Sequence, residues 1–147
     1  MSPTDPYVLV PSAPGVTEYL RLRRDSGLSP KTPEQAGYAV TNSWAFCHVR
    51  HSETSDVVAM GRLLGDGGWY FHVADMATLP DHQRQGLGRR VLEWLMRQVA
   101  ERAPADPYVT LLADEPGRPL YRSLGFVESA PESLGMRWAG RGPGVSA

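Results

Sequence analysis

Residues Gln83, Arg84, Gln85, Gly86, Leu87 and Gly88 form the segment of this chain with the most chemical content. They stand between an apolar, strand-like run and a long amphipathic helix pattern. With glycines in the fourth and sixth places, such a junction can turn its backbone N–H groups toward a pyrophosphate. The helix that starts there adds the positive end of its dipole, so the segment reads as an anion cradle. Glycine matters because a Cβ would keep the backbone away from the phosphate oxygens. No Lys-Ser or Lys-Thr pair follows, which argues against a P-loop nucleotide site. Several elements precede the segment, which argues against a dinucleotide fingerprint that opens a fold.

The bulk of the sequence bounds what this cradle can serve. A chain of 147 residues forms one domain, 1–147, with an ordered core over about 7–138 and Pro/Gly/Ser-rich, flexible ends. Fifteen basic and sixteen acidic side chains leave a net charge of −1, so nothing draws the molecule as a whole to nucleic acid or an anionic membrane. Anion binding must be local. Cys47 is the single cysteine, which excludes an intramolecular disulfide and suits a reducing compartment, where it serves as a small hydrophobe in a strand. The absence of a basic-then-apolar leader or a membrane-length apolar run makes the cytoplasm the expected location. His48, His51 and His82 lack the spacing to acidic or Cys partners that a metal requires, so no metal is expected.

The elements that must position the cradle follow from pattern. Residues 7–10 read as a first strand. A helix over about 16–24 points Val16, Tyr19 and Leu20, with Leu22 as a further candidate, inward and Arg21, Arg23 and Arg24 mostly outward. Thr32-Pro33-Glu34-Gln35 is a capping box opening a second helix that runs to about Thr41, and residues 25–31 between the helices suggest a flap. Runs at 44–50, 57–64 and 69–79, joined by short connections, make an antiparallel meander. After the cradle, Leu87, Val91, Leu92, Leu95, Met96 and Val99 share one helix face. Residues 108–113 form a buried strand, and strand, helix and strand together make a right-handed parallel crossover. A short helix over 118–124 and a hairpin of 126–128 with 134–138 complete a mixed α/β fold of the α+β type, with six to seven strands and four helices.

The run from Asp75 to Arg89, including Pro80, Gln83, Gly86 and Gly88, is followed about thirty residues on by Leu120-Tyr121-Arg122-Ser123-Leu124-Gly125-Phe126. Together these resemble the GNAT superfamily of acetyl-CoA-dependent N-acetyltransferases in its Gln/Arg-x-x-Gly-x-Gly/Ala and Tyr-x-x-Leu-Gly-Phe motifs. The resemblance implies a sheet splayed at its centre, with a bulged strand before the cradle. It implies that the amides of Arg84, Gln85, Gly86, Leu87, Gly88 and Arg89 hold the CoA pyrophosphate, with Gln83 starting the loop. It also implies that Thr78 pairs with pantetheine and that the Met76 N–H polarises the acetyl carbonyl. Tyr121 matches the tyrosine that protonates the departing thiolate, a role within reach of a phenol.

For the base, His72 lies six residues before Thr78, where relatives place a Glu or His. Asp75 is its rival: strict alternation would set it among Phe71, Val73, Ala77 and Leu79, a costly place for a carboxylate unless a bulge re-aims it. Trp44, Trp69, Arg62 and the Asp66 turn are candidates to frame an acceptor pocket, and Arg89 and Arg90 to meet a CoA phosphate. The reading is acetyl transfer to a small-molecule amine by direct attack in a ternary complex. A peptide or protein acceptor and a non-catalytic acyl-CoA sensor are the alternatives. Dimers are common among relatives, so a homodimer is allowed.

Overall fold

The structure is a computed structural model that describes residues 4–140, and the flexibility expected of the ends falls outside them at 1–3 and 141–147. These residues divide into two compact units, one up to Leu111 and one from Leu112 onward. The first runs β1 (Tyr7–Val10), α1 (Val16–Asp25), α2 (Pro33–Asn42), β2 (Ala45–His51), β3 (Val57–Gly65), β4 (Tyr70–Thr78), a 3₁₀ turn (Pro80–His82), α3 (Leu87–Arg102) and β5 (Tyr108–Thr110). The sheet order is β1-β2-β3-β4-β5. β1 to β4 pair antiparallel, and β4 pairs with β5 in parallel after the α3 crossover. The meander and the crossover are both present.

Local chemistry accounts for these elements. Thr32 and Gln35 close the capping box of α2 reciprocally, the Gln35 N–H donating to Thr32 Oγ1 at 3.1 Å and the Thr32 N–H to Gln35 Oε1 at 3.0 Å. The Asp66 carboxylate accepts the N–H groups of Gly68, Trp69 and Tyr70 and so folds the β3–β4 turn. The sheet is covered on both faces. Tyr19, Leu22, Ala36, Phe46, Met60 and Ala77 form a cluster beneath α1 and α2. On the other face α3 buries Leu87, Val91, Leu92, Leu95 and Val99. Gly61 marks the closest approach there, since a Cβ on it would lie 2.6 Å from Val91 Cγ1.

Four expectations need correction. Among the described residues the sheet has five strands, not six to seven. Residues 126–128 and 134–138 form no strand: Val127, Leu134, Met136 and Trp138 stay exposed, and apolar runs this short, broken by Gly135, do not sustain a ladder alone. β5 is three residues rather than six. Arg23, expected outward, is only 6% exposed, because its guanidinium is the donor for acceptors in other elements.

The second unit contains a 3₁₀ turn (Glu115–Gly117) and α4 (Arg118–Ser123). Gly125, at φ +95°, ends α4, with its N–H donating to the Arg122 carbonyl and the Phe126 N–H to that of Tyr121.

Candidate active site

The β3–β4 register breaks once. Arg62 pairs with Ala74 and Met60 with Ala77, so Asp75 and Met76 together face Gly61. This is a β-bulge, and Asp75 takes φ +55°, a left-handed conformation that Asp tolerates better than most residues. The bulge reverses the phase of the strand. Met76 points toward α3, its sulfur occupying the space beside Gly61. Asp75 points to the opposite face, away from Phe71 and Val73 and under α1.

There the carboxylate has three donors. Arg23 Nη1 reaches Oδ1 at 2.5 Å, Arg62 Nε reaches Oδ2 at 2.7 Å, and the Tyr19 hydroxyl donates to Oδ2. The side chains of Arg23, Asp75 and Arg62 are 8%, 10% and 16% exposed. The second arginine charge is met by other acceptors. Arg23 also donates to the Ser29 carbonyl, and Arg62 Nη1 to the Ser43 hydroxyl at the C-cap of α2. Residues 25–31 are therefore held through Ser29. Tyr19 and Arg23 were not picked out by the sequence as site residues, and no local pattern signals them.

On its β5 side, β4 pairs only through Tyr70, Phe71 and His72, so among the described residues no strand covers that edge from Val73 to Thr78. The bulge and the parting of the strands coincide. Thr78 pairs with Ala59 on the other side, and its carbonyl accepts Gln83 Nε2 at 3.3 Å. The chain then turns through the 3₁₀ segment into residues 83–86. Arg84 and Gly86 have φ +62° and +76°, the alternation that directs successive N–H groups to one side. Gly86 is the N-cap of α3, and no side chain caps that terminus. A Cβ on Gly86 would meet nothing within 4 Å, so the space beside the loop there is open. Leu87 buries its side chain, Gly88 is the second residue of α3, and Arg89 pairs with Glu93. An anionic pyrophosphate fits such a cradle.

His72 lies beside β5, its Nδ1 2.9 Å from Thr110 Oγ1, and burial holds its pKa below the ordinary value. In the second unit, Tyr121 on α4 packs edge-on against Phe126 and over Gly117. Burial, and then the charge of Asp114, pushes its phenol pKa up. Cys47 is fully buried with its thiol pushed up to about 12, so it is not a nucleophile at neutral pH.

The candidates for an acceptor pocket do not converge. Arg62 belongs to the Asp75 network, Asp66 folds a turn, Trp44 lies under Arg102, and Trp69 meets Tyr70 edge to face at the exposed start of β4. A cavity of about 420 Å³ lined by Trp44, Trp94, Gln98 and Arg102 lies at the C-terminal half of α3, far along that helix from the cradle. Among the described residues no group of three or more His, Cys, Asp or Glu could hold a metal ion. No helix among them is long and apolar enough to cross a membrane.

Comparison with known proteins agrees with this geometry. A solved structure of a Staphylococcus aureus protein, named as a probable acetyltransferase, superposes with a TM-score of 0.84 at 32% identity, covering 90% of this chain and 98% of that one. A GNAT family acetyltransferase from Streptococcus pneumoniae gives 0.76 at 26% identity, covering 92% and 99%. A histone acetyltransferase from Glycine max is 34% identical over 88 residues, 59% of this chain and 37% of that protein. The chain spans about a third to a half of the length of the curated relatives it matches. The family model for the acetyltransferase (GNAT) domain matches residues 43–128, which take in the bulged strand, the cradle and Tyr121. The chain belongs to the GNAT acetyltransferase family.

Proposed function

We propose that residues 1–147 act as one acetyltransferase domain that moves an acetyl group from acetyl-CoA to an amine by direct attack in a ternary complex. The observation that carries this reading is the continuity of bulge, uncovered strand edge and cradle along residues 75–88. Arg84 to Arg89, after Gln83, would hold the pyrophosphate on backbone N–H groups, with Thr78 and the free edge of β4 taking pantetheine. The Met76 N–H would meet the acetyl oxygen, a donor fixed in advance of the charge it stabilises. Acetyl-CoA supplies the activated thioester. The family match runs through both compact units, which supports treating the chain as one domain.

Tyr121 is the proposed general acid, its raised pKa keeping the proton available for the leaving thiolate. For the base, the geometry favours His72 over Asp75. Thr110 Oγ1 is placed to donate to the Phe71 carbonyl at 3.4 Å, so it accepts from His72 Nδ1–H, which leaves the Nε2 lone pair free for a proton. Asp75 has its oxygens engaged by two arginines and a tyrosine and acts as a positioning residue for the bulge.

The acceptor we propose is a small-molecule amine. A peptide or protein amine is the second reading, favoured by relatives whose names specify histone and, in Escherichia coli, the alanine of ribosomal protein bS18. The site itself does not require a particular compartment, and the cytoplasm remains the proposed location. An acetyl-CoA-dependent thiol-release screen over amines, polyamines, amino sugars and peptides decides between the acceptors. Calorimetry of Gly86→Val tests the donor: a β-branched side chain is strained at φ +76° and would shift the loop N–H groups from their places, so acetyl-CoA binding should vanish in a variant that still unfolds cooperatively. Unchanged affinity refutes the cofactor assignment.

A further inference from the structure

We infer that Asp5 and Tyr7 form a brace that holds both ends of the cradle, which makes them positioning residues for acetyl-CoA. The inference rests on the acetyl-CoA reading above. One end of the cradle begins after His82, the last residue of the 3₁₀ turn, and Tyr7 Oη lies 2.9 Å from His82 Nδ1. The two rings meet edge to face at 5.7 Å, and His51 completes the group at 5.6 Å from each. The other end continues into the first turn of α3, where Arg90 Nη1 pairs with Asp5 Oδ2 at 3.2 Å. The remaining Asp5 oxygen accepts the Tyr7 N–H at 2.9 Å. His82 and Arg90, on either side of the cradle, are thus tied to two residues that are themselves hydrogen-bonded together.

The brace has a firm base. Tyr7 is 8% exposed and pairs with His51 across β1 and β2. The Pro6 carbonyl accepts the Ser52 N–H at 2.7 Å, which fixes the backbone between the two bracing side chains. The cradle needs such support. The Gln83 N–H and Nε2 donate to the Pro80 and Thr78 carbonyls and the Arg90 N–H to that of Gly86, all at the ends of the loop, and no side chain caps α3. A loop that binds through its own N–H groups must either be ordered beforehand or be ordered by the ligand at a cost in affinity. Arg90, a candidate for a CoA phosphate on sequence grounds, is here engaged by Asp5.

The test uses the full chain with Tyr7→Phe, which removes only the hydroxyl, and Asp5→Asn, which removes only the charge. Glu18→Gln is the comparator: it breaks an ion pair with Arg50 that has no contact with the cradle. Hydrogen exchange of residues 83–90 is measured without ligand, and acetyl-CoA affinity by calorimetry. Tyr7→Phe and Asp5→Asn should each speed exchange in the cradle and weaken acetyl-CoA about five-fold, the scale of one lost hydrogen bond, while Glu18→Gln does neither. Unchanged exchange in both variants overturns the brace. So does faster exchange with unaltered affinity, or the same pair of effects in Glu18→Gln, which would reduce it to general stability. Failure of the unaltered protein to bind acetyl-CoA overturns the function instead, and the exchange measurement still decides whether Asp5 and Tyr7 order the loop.

Discussion

Asp75→Asn isolates one charge at the centre of the bulge. Asn keeps the shape and is, like Asp, tolerant of φ +55°, so the substitution adds no backbone strain beyond what Asp bears. What it removes is the anion between Arg23 at 2.5 Å and Arg62 at 2.7 Å, leaving two guanidinium groups facing an amide. Breaking one side of a fully buried ion pair costs about 3–5 kcal/mol. Here the three side chains keep 8–16% of their exposure, and the amide oxygen can still accept from one arginine or from Tyr19. We therefore expect a loss of about 3 kcal/mol, or a fall of about 10 °C in Tm for a domain of this size. Urea unfolding followed by tryptophan fluorescence should show a lower midpoint at an unchanged slope. Arg62→Met in the Asp75→Asn background should then cost less than it does in the original chain, because the charge it removes has lost its partner. A loss below about 1 kcal/mol, or strictly additive effects, would refute the view that Asp75 is held by this network and restore it as a candidate base.

Three further outcomes are expected. Tyr121→Phe should lower kcat about 100-fold with near-normal acetyl-CoA affinity, and a normal kcat under chemistry-limited conditions returns Tyr121 to packing. The acidic limb of kcat/KM should fall below the ordinary histidine value of 6.5, because burial depresses the His72 pKa; it should vanish in His72→Gln and persist in Asp75→Asn, the reverse pattern moving the base to Asp75. Stability should decline in acid through His48, whose pKa is lowered by burial and whose Nδ1 and Nε2 face the Ser12 carbonyl and the Arg50 N–H. The folded state binds fewer protons than the unfolded one, so this contribution is complete above about 6.5 and is lost as the pH falls through the lower folded value. His48→Gln should flatten that part of a pH–Tm profile, and an unchanged slope assigns it elsewhere.

What the sequence revealed and what it hid differ in range. The capping box at Thr32, the apolar face of α3 and the glycines of the cradle are local patterns, readable within a few residues of themselves. The crossover from β4 through α3 to β5 was legible because parallel strands need such a connection. Asp75 was legible only as a problem, a carboxylate at an apolar phase of a strand. Its solution lies in Arg23 and Tyr19, more than fifty positions away, and in Arg62 on the neighbouring strand. Arg23 shows why helix periodicity misleads here: a polar residue on an inward face looks like an error until its buried partner is known. Tyr7 and His82, seventy-five positions apart, were invisible for the same reason. The 126–138 segment failed differently, since alternation there resembles a strand but offers no ladder among the described residues.

Residue 75 is, from the standpoint of the sheet, an insertion. Removing it would set Met76 opposite Gly61 and leave Ala74 with Arg62 and Ala77 with Met60, so every other β3–β4 pair and both apolar faces would keep their places. Such a chain could fold into an even more regular sheet, provided Arg23 and Arg62 were replaced as well, and it would present an unbroken strand where this one bends. That deletion, made with the two arginine replacements, therefore separates what the fold requires from what the bend is for. It also gives an alignment of distant relatives a column to check: a gap at this position marks a chain that has kept the architecture and straightened its site.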